Sequence, residues 1–409
     1  MNVTVTPAKL KGTVTPPPSK SQAHRALIAA ALGGGVSSLR RLPSSQDINA
    51  TLRCLRALGA LARWEGDTLK LHGLGHGVRQ APLCPVLDCG ESGSTLRFLI
   101  PVALVLRGEG VFAGRGRLME RPQAPYFDIF REKGVFWERT GNLLEVKGAL
   151  SPGEYRLPGD VSSQFVTGLL YALPLLDGDS EIVLTSPLES RGYVDMTLDI
   201  LGKFGVQVEN QSYTRFSVSG NQTFQARDMT VEADWSQAGF WYAAAFLGNA
   251  VETAGLDPRS TQGDRVIAAH FETLSRPGDV DIDVSGCPDL VPPLAAMAAV
   301  RPGVTRLTNA ARLRIKESDR LSAVTRVLGG LGAQVTEHWT SLTVRGRETL
   351  AGGVAVDSFN DHRIAMMAAV AAARCEKPVT VTGAECVAKS YPDFWEVYES
   401  LGGKIERNG

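Results

Sequence analysis

One recurring pattern constrains the fold of this chain more than any other feature. A short polar segment leads into a run that is apolar on nearly every face. It is clearest at residues 88–108, DCGESGSTLRFLIPVALVLRG. Five further stretches share it: PSKSQAHRALIAAALG from Pro18, DVSSQFVTGLLYALPLLDG from Asp160, ADWSQAGFWYAAAFLG from Ala233, CPDLVPPLAAMAAV from Cys287 and FNDHRIAMMAAVAAA from Phe359. Ser, Asp, Asn or Gln ahead of an apolar run marks a helix start. A helix apolar all round is buried. Its first turn offers backbone N–H groups without intrahelical partners and the positive end of the dipole, which together favour anions. Pro101, inside the second run, predicts either a kink or a late helix start.

A second unit separates these stretches: a strand, a polar loop, an amphipathic helix and two short strands, the last alternating and closing on Gly. TLKLHG ends at Gly73, LLEVKG at Gly148, FSVSG at Gly220, IDVSG at Gly286 and LTVRG at Gly346. The amphipathic helices close at Gly59, Gly134, Gly205, Gly332 and Gly402. The chain therefore reads as six copies of order βαβαββ, the sixth lacking its last strand. Residues 3–12, VTVTPAKLKG, have the shape of that strand. The predicted fold class is α/β, in two similar domains of three copies each. Residues 13–230 form the first domain. Residues 1–12 with 231–409 form the second, its last copy completed by the N-terminal strand. TVTPPP at 13–18 reads as a stiff extended connector.

The 43 basic and 43 acidic residues cancel, which argues against nucleic acid or a membrane surface as partner. No apolar run approaches the roughly 18 residues of a membrane span, and the N-terminus lacks the form of a signal peptide. Cysteines at 54, 84, 89, 287, 375 and 386 form no CxxC pair, so a reducing cytoplasm is expected. HExxH, GxxxxGK[ST] and GxGxxG motifs are absent. No metal and no cofactor are expected.

The helix starts and adjoining loops carry Lys20, Arg25, Arg121, Lys316, Arg320, Arg363 and Lys389, with Ser21, Ser162, Ser163, Gln164 and Ser190. Fork-shaped Arg and point-charge Lys hold phosphate and carboxylate groups, so these residues suit a polyanion pocket. Lys20 at a helix start opposes the dipole; it is either an anion ligand or a solvated surface lysine. Arg97 is either a buried ion-pair member or a ligand. The loop GRGRLMERP, with Arg115, Arg117 and Arg121 among glycines, suits a segment that closes on an anion. In RLRIKESDRLSAV, Lys316 and Arg320 are four apart and would share a helix face. Asp289 is either an N-cap or a site residue. Asp289 and Glu317 are the carboxylates placed among these cations, where carboxylates are suited to proton transfer.

The motifs SKSQAHRA, GESGSTLR, RLMERP, VSSQF, the PD at 288–289, RIKESDR, NDHR and AKSYPD occur in the order found in the enolpyruvyl transferases. The chain resembles that family over its whole length, and specifically the branch acting on shikimate 3-phosphate. The resemblance implies two domains built as an inverted α/β barrel, with buried helices whose N-termini face an interdomain cleft. It implies transfer of the enolpyruvyl group of phosphoenolpyruvate to the 5-hydroxyl of shikimate 3-phosphate, through a tetrahedral intermediate that expels phosphate. By resemblance Lys20, Ser21, Arg25, Ser162, Ser163, Gln164, Ser190, Tyr193, Asp289, Arg312 and Lys316 hold shikimate 3-phosphate. Lys20, Gly93, Arg121, Gln164, Arg320, Arg363 and Lys389 hold phosphoenolpyruvate. Asp289 is the base on the 5-hydroxyl; Glu317, with Lys20, protonates the methylene carbon. Gly93 leaves room for glyphosate, the family's phosphonate inhibitor, and sensitivity to it is expected. A monomer acting only on small molecules is expected. Two departures stand out: Glu91 and Ser92 where many members have Asn-Ala, and Arg312 where many have Asn. The alternative is the sister enzyme acting on UDP-N-acetylglucosamine, whose loop carries a Cys that 113–122 lacks.

Overall fold

The computed structural model describes residues 1–75 and 84–408. The chain forms two compact units, Pro18–Glu232, and Met1–Pro17 with Ala233–Gly409.

Six buried helices begin where the polar-to-apolar switches lie: Lys20–Leu32, Gly93–Arg107, Ser163–Ala172, Trp235–Phe246, Val291–Ala298 and His362–Ala372. Five have side-chain N-caps: Ser19, Ser92, Ser162, Asp234 and Asp361 each accept a backbone N–H of the first turn. Val291–Ala298 is instead entered through a 3₁₀ turn, Pro288–Leu290. Pro101 neither delays nor ends its helix, which runs on to Arg107. The amphipathic helices stop where expected. Gly59, Gly134, Gly205, Gly332 and Gly402 follow them with φ between +69° and +110°, the backbone that glycine adopts at least cost.

Among the described residues five four-stranded sheets share one strand order. In the sheet of 86–147, Val86–Gly90 runs parallel to Glu109–Gly114, which pairs antiparallel with Leu143–Lys147, itself antiparallel to Phe136–Thr140. The buried helix Gly93–Arg107 is the crossover between the two parallel strands, as such a connection requires. The sheets of the first and last copies take their missing strand from elsewhere in the sequence. Met229–Thr230 pairs parallel with Val36–Arg40. Asn2–Thr6 lies antiparallel between Val379–Thr382 and Lys404–Asn408.

Three local expectations are corrected. IDVSG does not close the fourth copy: Val280–Asp283 is the first strand of the fifth sheet, parallel to Val304–Thr308. Alternation is the same at either end of a sheet, and pairing decides which end it is. The fourth copy has a two-stranded parallel sheet, Lys11–Val14 with Ala250–Thr253. That pairing places residues 13–17 in the unit that also holds 233–409, so the crossings fall after Pro17 and Glu232.

Each unit has its own core. In Pro18–Glu232 the helices Gly93–Arg107 and Ser163–Ala172 pack closely at Gly168. A Cβ there would lie 2.4 Å from the Arg97 carbonyl oxygen and 2.2 Å from the Tyr126 hydroxyl. That hydroxyl donates to the Arg97 carbonyl at 2.7 Å, so the glycine fixes the spacing of two helices whose first turns carry site candidates. Among the described residues no helix is long and apolar enough to cross a membrane.

Candidate active site: two clusters of charge

In the Pro18–Glu232 unit, Lys20 opens its helix and pairs with Asp47 at 2.7 Å, both side chains largely buried. The carboxylate offsets the unfavourable placing of a cation at a helix N-terminus. Arg25, one turn on, is buried. It donates to Thr197 Oγ1 (2.8 Å) and to the carbonyls of Ser21 (2.8 Å) and Tyr193 (2.9 Å). Burial lowers its pKa to about 10, so it remains a cation at neutral pH. These bonds bring Ser21, Arg25 and Tyr193 together. Ser190, at the start of the Arg191–Lys203 helix, sits at φ 55° in the left-handed region, a strained setting for a residue with a Cβ.

Gly93 is the first residue of its helix, after the Ser92 cap. Arg121 is buried, extended before Pro122, and its guanidinium packs on Gly93. Gln164 is held by both of its amide atoms: Oε1 accepts from Arg97 Nη1 at 2.8 Å and Nε2 donates to Ser94 Oγ at 3.0 Å. Arg97 Nη2 also donates to the Pro122 carbonyl at 2.9 Å. Arg97 thus ties together Gln164 and the turn bearing Arg121, and its guanidinium lies over the Phe165 ring at 4.8 Å. Ser162 caps the Ser163–Ala172 helix and Ser163 is buried beside it. Arg115 and Arg117 point elsewhere; they are exposed and pair with Asp88 and Glu120. The Glu91 carboxylate lies against Gly116, where a Cβ would meet Oε2 at 2.7 Å. A chain of buried hydroxyls, Ser92–Thr95–Thr51, ends on His24 Nδ1 and links three helices. Burial, then the charges of Lys20 and Arg25, holds His24 well below its usual pKa, so it is neutral.

In the unit that holds 233–409 the charges converge on Arg320, which is 1% exposed. Its three nitrogens meet three carboxylates: Nε with Asp361 Oδ2 at 2.8 Å, Nη1 with Asp289 Oδ1 at 2.6 Å and Nη2 with Glu317 Oε2 at 2.6 Å. Burial would weaken the guanidinium as a cation; the three carboxylates outweigh it and raise its pKa. Asp289 also meets Arg363 Nη2 at 3.2 Å and Lys316 Nζ at 3.6 Å. Burial alone would raise the Asp289 pKa, but Arg363, Lys316 and Arg320 hold it well below the usual carboxylate range. Asp289 is not in an N-cap position: it is the middle residue of the 3₁₀ turn Pro288–Leu290, and Leu290 precedes the helix. Lys316 and Arg320 do not share a helix face: Lys316 is extended between the 3₁₀ turn Ala311–Ile315 and the helix Arg320–Gly330. They meet through Asp289 instead. Burial lowers Lys316 to about 8, partly offset by Asp289. Lys389 is buried and donates to the Asn360 carbonyl at 2.6 Å. Arg312 donates to the Ser285 carbonyl at 2.8 Å.

Four supporting carboxylates and cations were not among the site residues predicted from sequence. Asp361 is wholly buried, accepts from Ser318 Oγ at 3.0 Å and from the Arg363 backbone N–H at 3.0 Å, and so holds two cations in register. Asp264 is buried beside Ser236; burial, then the Asp289 charge, raises it to about 6 despite Arg363. Asp47 and Arg97 act in the other unit as described above. The DHR at 361–363 was the available signal for Asp361; Asp47 and Asp264 lie in segments without one. Among the described residues no group of His, Cys, Asp and Glu is placed to hold a metal ion.

The family model for EPSP synthase (3-phosphoshikimate 1-carboxyvinyltransferase) matches residues 5–398. A 3-phosphoshikimate 1-carboxyvinyltransferase of Clostridium kluyveri is 48% identical over 421 residues, covering 99% of this chain and 98% of its own. One of Clostridium novyi is 44% identical at the same coverage. The EPSP synthase structure from Acinetobacter baumannii superposes with a TM-score of 0.81 at 25% identity, over 99% of this chain and 100% of that one. The enolpyruvyl transferase NikO of Streptomyces tendae, at 17% identity and a TM-score of 0.79, shares the fold. The family match spans both charge clusters and both units, and the chain belongs to the EPSP synthase family.

Proposed function

We infer that the chain transfers the enolpyruvyl group of phosphoenolpyruvate to the 5-hydroxyl of shikimate 3-phosphate and releases phosphate, a step of the shikimate pathway. The observation that carries the chemistry is the pairing of two carboxylates, Asp289 and Glu317, with one buried guanidinium. Proton-transfer groups stand directly among cations suited to a phosphorylated, carboxylated substrate.

In this reading Glu317, with Lys20, delivers a proton to the methylene carbon, leaving C2 electrophilic. Asp289 accepts the proton of the 5-hydroxyl as its oxygen bonds to C2. Arg121, Gln164, Arg320, Arg363, Lys389 and the Gly93 backbone hold phosphoenolpyruvate, and Lys20 touches both substrates. Ser21, Arg25, Ser162, Ser163, Gln164, Ser190, Tyr193, Arg312 and Lys316 hold shikimate 3-phosphate, with Asp289 on its hydroxyls. The phosphate leaves from the tetrahedral intermediate as the C–O bond to C2 breaks and the methyl group gives a proton back to Glu317, which restores the methylene. Pre-placed cations stabilise charge that develops without reorganising. Arg97, Asp47 and Asp361 are positioning residues for Gln164 and Arg121, Lys20, and Arg320.

We further propose a cytoplasmic monomer; six cysteines standing as free thiols support a reducing compartment. The test is phosphate release from the two substrates by the full chain, with UDP-N-acetylglucosamine as the rival acceptor. Release with the rival and none with shikimate 3-phosphate would overturn the assignment.

A further inference from the structure

Two of the cations read as phosphoenolpyruvate ligands, Arg320 and Arg363, are already bonded to carboxylates of their own unit. Arg320 is bonded to Asp289, Glu317 and Asp361, and Arg363 to the Asp289 carboxylate and carbonyl. Lys316, Arg320 and Arg363 all face Asp289, Arg320 also faces Glu317 and Asp361, and Asp264 is buried near Arg363 and Asp289; Lys389 donates to the Asn360 carbonyl. An incoming anion with both a carboxylate and a phosphate must compete with these carboxylates for the two guanidinium groups. The reaction raises a second difficulty. A carboxyl group paired with a guanidinium is a carboxylate and has no proton to give, yet Glu317 is the group assigned to protonate the methylene carbon.

One event answers both. We propose that phosphoenolpyruvate enters by partner exchange: it takes the guanidinium ends of Arg320 and Arg363 from Glu317 and Asp289, and Glu317, released beside a new anion, takes a proton from solvent. That proton is the one later delivered to the methylene carbon. The acid is therefore armed by the substrate it acts on, and the substrate pays for entry with one proton bound.

The geometry limits where exchange can happen. Asp361 is wholly buried and its carboxylate accepts four bonds, from Arg320 Nε and Nη2, Ser318 Oγ and the Arg363 backbone N–H. It keeps the guanidinium in place while the other two ends change partners. Glu317 is 19% and Asp289 17% exposed, so both can turn toward solvent. The titratable and charged groups facing the exchanging groups are Asp361, the His362 ring and Arg363 at the start of the His362–Ala372 helix, Asp289 and the neutral Cys287 thiol at the Pro288–Leu290 turn, Arg312 in the turn Ala311–Ile315 with Lys316 after it, and Asp264 in the Gly263–Val266 turn. Loss of cation partners moves a carboxylate toward protonation, and binding linked to that proton weakens as pH rises.

The inference rests on the proposed substrates, and the experiment separates the two. KM for phosphoenolpyruvate and kcat are measured on the full chain at saturating shikimate 3-phosphate from pH 7 to 8.5, for the wild type, Glu317→Gln and Asp361→Asn. In the wild type KM should rise with pH. Glu317→Gln removes the competing charge, so its KM should fall about tenfold at pH 8, the scale of one charge-assisted bond, with a flatter pH profile, while kcat drops. Asp361→Asn loosens Arg320 and should raise KM without flattening the profile. A KM for Glu317→Gln equal to or above the wild type, profiles that run parallel, or a lower KM in Asp361→Asn would each overturn the exchange. Absence of turnover in the wild type would overturn the assigned reaction itself.

Discussion

The guanidinium of Arg121 rests on the bare Cα of Gly93. A Cβ at Gly93 would stand 2.7 Å from Arg121 Nη1 and 3.0 Å from Cζ. Gly93 thus does more than leave room for a ligand at a helix N-terminus; it sets where a neighbouring cation lies. Gly93→Ala should push the end of Arg121 aside, since the far end of a long side chain yields before backbone does. The longer anion glyphosate should lose more than compact phosphoenolpyruvate, by the overpacking scale of roughly 1–3 kcal/mol. Inhibition curves for wild type and variant, read beside KM for phosphoenolpyruvate, check this. Equal changes in both constants would mean the turn does not gauge ligand length.

The N-terminal strand should matter to one unit only. Asn2–Thr6 lies between two strands of the last copy, and Val3 and Val5 are wholly buried in that unit's core. Deleting residues 2–6 opens a row of unpaired backbone groups on both neighbours. Hydrogen exchange should quicken in 355–382 and 404–408 and stay unchanged in 86–147. Uniform exchange across both units would contradict this.

How much of this was legible in the sequence depends on how local each determinant is. Helix starts were readable because cap and apolar run are adjacent, as with Ser92 before 93–107. Helix ends were readable from Gly59, Gly134 and Gly332, whose left-handed backbone needs glycine. IDVSG misled because alternation does not encode a strand's partner; parallel pairing with Val304–Thr308 does. The supporting residues were hidden for the same reason. Asp47 reaches Lys20 across 27 residues and Asp361 reaches Arg320 across 41, and nothing in the intervening chain records those distances. Lys316 and Arg320 were brought together on a helical spacing that does not exist there; their shared partner Asp289 does the joining.

Binding of shikimate 3-phosphate should depend on pH through Lys316. Its pKa in the fold is lowered from 10.5 to about 8, so the free protein loses this cation as pH rises through about 8. Above that, binding must restore a proton and affinity falls with pH; below it, affinity is flat. Lys316→Arg keeps its charge and should remove the fall. The stability linkage has the opposite sense: between about 8 and 10.5 the unfolded chain holds a proton the fold does not, so stability rises with pH. Equilibrium binding of shikimate 3-phosphate from pH 7 to 9.5, for both proteins, checks the first claim. Parallel curves would count against a role for Lys316 in holding the phosphate.

In the proposed reaction Asp289 and Glu317, paired on one buried arginine, move the protons of enolpyruvyl transfer. The most direct test is the rate of phosphate release from shikimate 3-phosphate and phosphoenolpyruvate, both saturating, by the wild type, Asp289→Asn and Glu317→Gln. Release by the wild type is expected, with a fall in kcat of roughly 10²–10⁴ in each variant, the usual scale for acid–base groups. Near-wild-type kcat in both variants would contradict it.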